Sequence, residues 1–303
     1  MKTLFTVIAT FVMISSFATI KKKSLKTNKL SVEVFKGKSA SVNSFLFSNG
    51  KSLFIMDVLR SSEDAKLLVE LIKSKKLPLN QILITHGHPD HYTGMNLLHK
   101  EFPKAKIVVA SQEIKNDIKD FSTWMESVGW LEKEPALKPK SDKNPNGFDY
   151  DNLITVLKSN KIELDGGGIL DLETTYNPAE AEHLTTVFSK DLNAFFTSDF
   201  CYNNVHLWLG TGVDKLHIQN WKKQLQSFKT KFAKSNPVIY PGHGEKSNVK
   251  LFDVVEKYIE DFEKVTSIAK TKKEAMTKMQ ETYPTWEQAD FLLFYSVDFH
   301  VKE

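Results

Sequence analysis

Thr85-His86-Gly87-His88-Pro89-Asp90-His91 is the stretch on which the reading of this chain turns. Four ligand-type side chains, His86, His88, Asp90 and His91, fall within six residues, directly after a short apolar run at 81–84 and directly before a helical pattern. A lone histidine is usually a satisfied core or surface residue; four such donors in one turn are hard to explain structurally. On a turn, His86 and His88 can point one way while Asp90 and His91 swing to the other side, so one loop can supply parts of two adjacent metal shells. Gly87 permits a close backbone path and Pro89 stiffens it. Zinc prefers His and carboxylate donors, and a bound metal brings the pKa of its water to about 7, which makes a hydroxide nucleophile at neutral pH.

Outward from this turn, the pattern is α/β. Residues 30–34, 42–47 and 52–58 alternate or run apolar, with an Asn49-Gly50 turn between the last two, and predict an antiparallel meander. Ser62 caps a helical pattern through Lys75, and 81–84 follows as a buried strand. Thr93 caps another helix to about Glu101, 106–110 reads as a strand, and Ser111 begins a further helix. From 129 to 152 the periodicity dissolves into prolines and charges, which marks a loop or lid carrying or flanked by Trp124, Trp130, Phe148 and Tyr150. Strand signals return at 161–164, 169–174, 185–188 and 194–197. A long helix opens at Asp214, a strand lies at 238–240, and residues 250–303 read as helices rich in Lys and Glu.

With these residues in place, the chain resembles the metallo-β-lactamase superfamily from about residue 30 to 245. The resemblance continues downstream in His183 of Glu180-Ala181-Glu182-His183, in Asp199 after Phe195-Phe196-Thr197-Ser198, and in His243 of Pro241-Gly242-His243-Gly244. It implies an α/β (α+β) chain folded as a four-layer αβ/βα sandwich with the metal site at one edge. It implies that His86, His88 and His183 hold one metal, that Asp90, His91 and His243 hold a second, and that Asp199 bridges both, with Asp90 also counted as catalytic. Two zinc ions per chain are the implied cofactor, iron being the alternative, and a bridging hydroxide the nucleophile. Glu182 and Ser198 stand where the family has glycines, so the first turn must be built differently and the second change is mild. Asp199 favours the glyoxalase II, lactonase and general hydrolase branches over the branch with a cysteine ligand, which leaves Cys201 as a core or pocket residue. Tyr202, Asn203, His206 and Trp208 follow as candidate pocket walls, with core packing the competing account of Trp208, and Asp57 resembles a carboxylate placed beneath the ligands. His99, His217 and His300 are read as structural, and Gly166-Gly167-Gly168 as a β-turn rather than a phosphate cradle.

The expected function is therefore a binuclear zinc hydrolase acting on a small-molecule ester, lactone, thioester or amide, with a β-lactam among the candidates. The alternative is an iron-dependent oxidoreductase like the persulfide dioxygenases of the same fold. The net charge is +4 with lysines scattered over the chain, and no inserted domain or basic groove marks a nuclease, so no nucleic-acid partner is expected. Residues 1–20 combine Lys2, an uncharged run and small residues at 16 and 18, a signal-peptide pattern that predicts export to the periplasm or beyond. Lys21 to Lys23 directly after it keep a retained N-terminal membrane anchor open as the alternative. The metallo-β-lactamase-like domain is expected over 28–303. With one cysteine there is no internal disulfide and no cysteine-based zinc site.

Overall fold

The computed structural model describes residues 29–302. The expectation of a signal peptide or anchor over 1–20 lies outside the described residues. Among the described residues, no helix is long and apolar enough to cross a membrane.

Two sheets face each other. The first contains β1 (Ser31–Lys36), β2 (Asn43–Ser48), β3 (Leu53–Met56), β4 (Leu79–Leu83), β5 (Lys106–Val109) and β6 (Ile154–Val156) in that spatial order. Its first three strands are antiparallel and the rest parallel. Helix α1 (Ser62–Ser74) joins β3 to β4. The short α2 (Pro89–Tyr92) and α3 (Met95–Glu101) lead from β4 to β5, and α4 (Gln112–Ser127) and α5 (Tyr150–Leu153) from β5 to β6. The second sheet runs β11-β10-β9-β8-β7, built from β7 (Lys161–Glu163), β8 (Ile169–Glu173), β9 (Thr186–Ser189), β10 (Ala194–Asn203) and β11 (Val238–Gly244). Helix α6 (Lys215–Phe232) makes the parallel crossover from β10 to β11; α7 (Leu251–Ile268), α8 (Lys272–Thr282), a π-helical turn (Ala289–Leu293) and α9 (Phe294–His300) complete the chain.

Period-two alternation along the strands sorts side chains into three apolar layers. On β3, Leu53 and Ile55 pack toward α1 and α3, whereas Phe54 and Met56 face the other sheet. On β10, Phe195 faces α6 and Phe196 faces inward. The layer between the sheets is aromatic: Phe196 stacks on Tyr240 at 4.7 Å and meets Phe45 and Phe47 edge-on at 5.1 and 4.9 Å. Helix, sheet, sheet, helix is the four-layer sandwich that the family resemblance implies.

Several boundaries differ from the sequence reading. Ser61, not Ser62, caps α1 by accepting the Asp64 N–H. Thr93 does not start a helix: its hydroxyl donates to Pro89 O at 2.7 Å and closes α2, so that α3 begins after Gly94. Phe148 and Tyr150 are buried in the α1–α4 core, so they pin the far end of the 129–152 loop rather than ride on a free lid. β10 runs on past Asp199 to Asn203, with two register shifts against β11 that free the metal-side residues from strict pairing.

Candidate metal centre

The donors come from the turn after β4 and the short α2 (His86, His88, Asp90, His91), the loop before β9 (Glu180), the middle of β10 (Asp199) and the end of β11 (His243). His86, His88, Glu180 and Asp199 offer atoms within 4.8 Å of one another, and Asp90, His91 and His243 form a second group. Asp199 lies between the two: Oδ1 is 3.2 Å from His91 Nε2, while Oδ2 is 3.1 Å from His243 Nε2 and 3.9 Å from His86 Nε2. Backbone geometry aims it there. Ser198 has φ +46°, a left-handed conformation that costs a residue with a side chain, and its hydroxyl offsets the cost by bonding Thr85 Oγ1 at 2.8 Å. Gly242 leaves room for the carboxylate, since a Cβ there would lie 1.9 Å from Asp199 Oδ1.

An outer network turns the rings inward. Asp57 accepts from His91 Nδ1–H at 2.8 Å and from the Thr85 N–H and hydroxyl at 2.9 and 2.8 Å. His243 Nδ1–H donates to Ala40 O at 2.8 Å, and Thr85 Oγ1 sits 3.1 Å from His86 Nδ1. These bonds assign the Nδ1–H tautomer to all three rings and leave each Nε2 facing the cluster. His86 Nε2, His91 Nε2, Glu180 Oε2 and Asp199 Oδ1 are all buried without a hydrogen-bond partner. Buried imidazole nitrogens and carboxylate oxygens that lie 3.2 Å (His91 and Asp199) and 3.7 Å (His86 and Glu180) apart without a well-formed hydrogen bond are costly unless a cation joins them, and a His-and-carboxylate set suits zinc or iron, so the residues present fit metal ions.

Without an ion, the buried carboxylates hold protons on the neighbouring rings, which a metal would displace. Burial, reinforced by the neighbouring His91, holds His86 well below its ordinary range, so it presents a bare lone pair. Burial would also lower His88, but the Glu180 carboxylate 3.0 Å away outweighs it and raises the ring to about 9. Burial likewise opposes the protonated form of His91, and Asp199 and Asp57 overcome it and raise the ring well above normal. Burial would raise Asp199, yet His91 and His243 hold it well below the carboxylate range.

His183 is not where the sequence reading puts it. Its Nδ1 pairs with Asp117 Oδ2 at 2.8 Å on the rim, with about 42% of the side chain exposed, and Glu180 occupies the expected third position beside His86 and His88. The cause is the turn ahead of β9. Ala179 N bonds Ala181 O at 3.0 Å and Thr185 N bonds Thr85 O at 2.9 Å, which buries Glu180 and leaves Glu182 and His183 on the outer side. Of the proposed pocket walls, Tyr202 and Trp208 line the cavity over the cluster. Asn203 instead bonds Glu245 O on the surface, and His206 turns away to pair with Tyr258 OH at 2.8 Å. Cys201 is buried in the helix-side core. His217 pairs with Asp214 and Glu182, and His300 with Leu209 O. Arg60, Phe121, Phe291 and Tyr295, none of them candidates from the sequence, complete a cavity of about 60 Å³.

Residues 39–243, more than half of the chain, match the family model described as the metallo-beta-lactamase superfamily. The chain belongs to that superfamily. A metallo-beta-lactamase type 2 of Bacillus cereus is 23% identical over 214 residues, 70% of either chain. Among solved structures, a metallo-beta-lactamase from Pontibacter korlensis superposes with a TM-score of 0.56 at 14% identity, covering 78% of this chain and 96% of the other. The FIM-1 enzyme of Pseudomonas aeruginosa, solved in a mono-zinc form, gives 0.50 at 13% identity, over 77% and 90%. Those superpositions speak for the fold, and with the family and the donor set they make this chain a metallo-hydrolase of that fold.

Proposed function

We propose that this hydrolase works with two metal ions, zinc by preference, one held by His86, His88 and Glu180 and the other by Asp90, His91 and His243, with Asp199 shared. Its substrate is an ester, lactone, thioester or amide of a small molecule. The observation that carries the reading is the set of orphaned buried donors, His86 Nε2, His91 Nε2, Glu180 Oε2 and Asp199 Oδ1, which meet beneath a single cavity. Ions bound there would supply a water acidified to near neutral pH and a Lewis acid for the scissile carbonyl.

The chain's own residues set the conditions. Asp57, Ala40 O and Thr85 hold the imidazoles in the tautomer that leaves Nε2 free. Tyr202 stacks face to face on His243 at 4.4 Å and donates its hydroxyl to Asp199 Oδ2 at 2.7 Å. Burial beside Asp199 pushes its pKa far up, so it remains a donor and fixes one carboxylate oxygen. Phe121, Trp130, Trp208 and Tyr295 wall the cavity and keep bulk water from the reacting group.

A second reading is favoured by one observation: Glu180 in place of a third histidine gives each half two imidazoles plus carboxylate, a set that ferrous iron also accepts. Elemental analysis of protein purified without added metal, run beside lactone, thioester and β-lactam substrates, separates the two. Close to two zinc ions per chain with turnover of a panel member supports the hydrolase. One iron and no hydrolysis would replace it with the oxidoreductase.

A further inference from the structure

Arg60 is the only arginine in a chain with 41 basic residues, and it lines the cavity into which His88, Asp90, Glu180 and Asp199 open. Its guanidinium lies 4.8 Å above the centre of the Phe291 ring. Among the described residues no Asp or Glu is within ion-pair reach of it. Stacking on a ring fixes the plane of a guanidinium and leaves its N–H edges free, which is the geometry for a two-pronged bond to a planar oxyanion.

The backbone that presents Arg60 is tied to the metal cluster. Asp57 and Leu59 are both left-handed, with φ +61° and +72°, although neither is glycine and both are buried. The turn is held by Val58 N–H donating to His91 O at 2.8 Å, by Gly94 N–H donating to Leu59 O at 3.3 Å, and by the Asp57 carboxylate on His91. Strain of this kind persists only where its surroundings over-determine it. The same turn therefore orients a metal-side imidazole and sets the position of the lone arginine. The same cavity is walled by the aromatic side chains of Phe121, Trp130, Trp208 and Tyr295.

We propose that Arg60 is the anion-recognition residue of this site, so that the preferred substrate carries a carboxylate at the end remote from its scissile group, with an apolar body between them. This rests on the hydrolase reading above. The test compares mono-p-nitrophenyl glutarate, which is anionic, with neutral p-nitrophenyl valerate on the zinc-loaded full chain. The wild type favours the anionic ester. Arg60→Gln lowers the ratio of the two kcat/KM values by about 10- to 100-fold, the worth of a charged hydrogen bond, mostly through KM, and Arg60→Lys restores part of it. Calorimetric titration with 2-naphthoate and 2-naphthamide reads the same preference without chemistry. Hydrolysis of neither ester, with naphthoate binding still lost in Arg60→Gln, sinks the hydrolase reading and leaves the anion site standing. A ratio and a naphthoate affinity both unchanged in Arg60→Gln overturn the proposal.

Discussion

Exchanging Glu180 for glutamine and, separately, His183 for alanine divides the structural assignment from the one that the sequence motif suggests. Glu180 is fully buried, with Oε1 3.0 Å from His88 Nδ1 and Oε2 unpaired. A complete four-donor zinc site contributes on the order of 10–16 kcal/mol, so one donor in four is worth about 3 kcal/mol, roughly 100-fold in affinity. Glutamine keeps the shape, and His88, deprived of its carboxylate, sheds its proton instead of remaining a buried cation, so the metal-free protein still folds. His183, in contrast, makes one partly exposed pair with Asp117, worth at most about 1 kcal/mol. Competition with a chromophoric zinc chelator reads both affinities, and circular dichroism of the metal-free proteins checks folding. Glu180→Gln is expected to retain one tight ion and lose the other by about two orders of magnitude, with His183→Ala binding both as wild type does. Two tight ions in Glu180→Gln together with one lost in His183→Ala would refute the assignment.

Burial holds His206 at about 4 against an ordinary 6.5, so its neutral form supports folding fully above pH 6.5, and that support is lost as pH falls toward 4. Between pH 7 and pH 4.5 the wild-type metal-free protein should lose about 2.4 kcal/mol that His206→Gln does not, as read by urea unfolding at the two pH values; parallel losses would show that His206 titrates normally. A Cβ on Gly94 would stand 2.1 Å from Val58 O and 3.0 Å from Ala65 Cβ. Gly94→Ala gains about 0.4–1 kcal/mol from a stiffer unfolded chain but costs about 1–3 kcal/mol in forced separation, so Tm should fall; a rise would mean that the turn behind the cluster is not clamped.

Much of the sandwich was legible because burial on one face leaves a period in the sequence. Phe45, Phe47, Phe54 and Phe196 alternate with residues of the opposite layer, and the predicted strands at 42–47, 52–58 and 194–197 fall on β2, β3 and β10. The boundaries that moved did so for local reasons that a period does not carry. Ser61 and Ser62 are chemically equal caps, and only the chain path gives the bond to the first. The extension of β10 to Asn203 depends on bulges against β11, a strand 35 residues later in the chain.

The site was legible wherever one turn carried its own chemistry and illegible where several donors competed for one position. His86, His88, Asp90 and His91 are placed by a single loop, so their identity and spacing sufficed. Glu180, Glu182 and His183 lie within four residues of one another, all are donors zinc accepts, and a slip of the turn decides which one faces inward. That slip is fixed by the backbone bond from Thr185 N to Thr85 O, in the turn after β4 and 100 residues earlier, so neither composition nor spacing could reveal it. Pairing in the folded chain completes the choice: Asp117 on α4, which packs against Gly87 of the metal-side turn, gives His183 a partner of its own, whereas Glu180 Oε2 makes no hydrogen bond. Of the three donors, the one whose second oxygen is buried without a hydrogen bond is the one that faces the site.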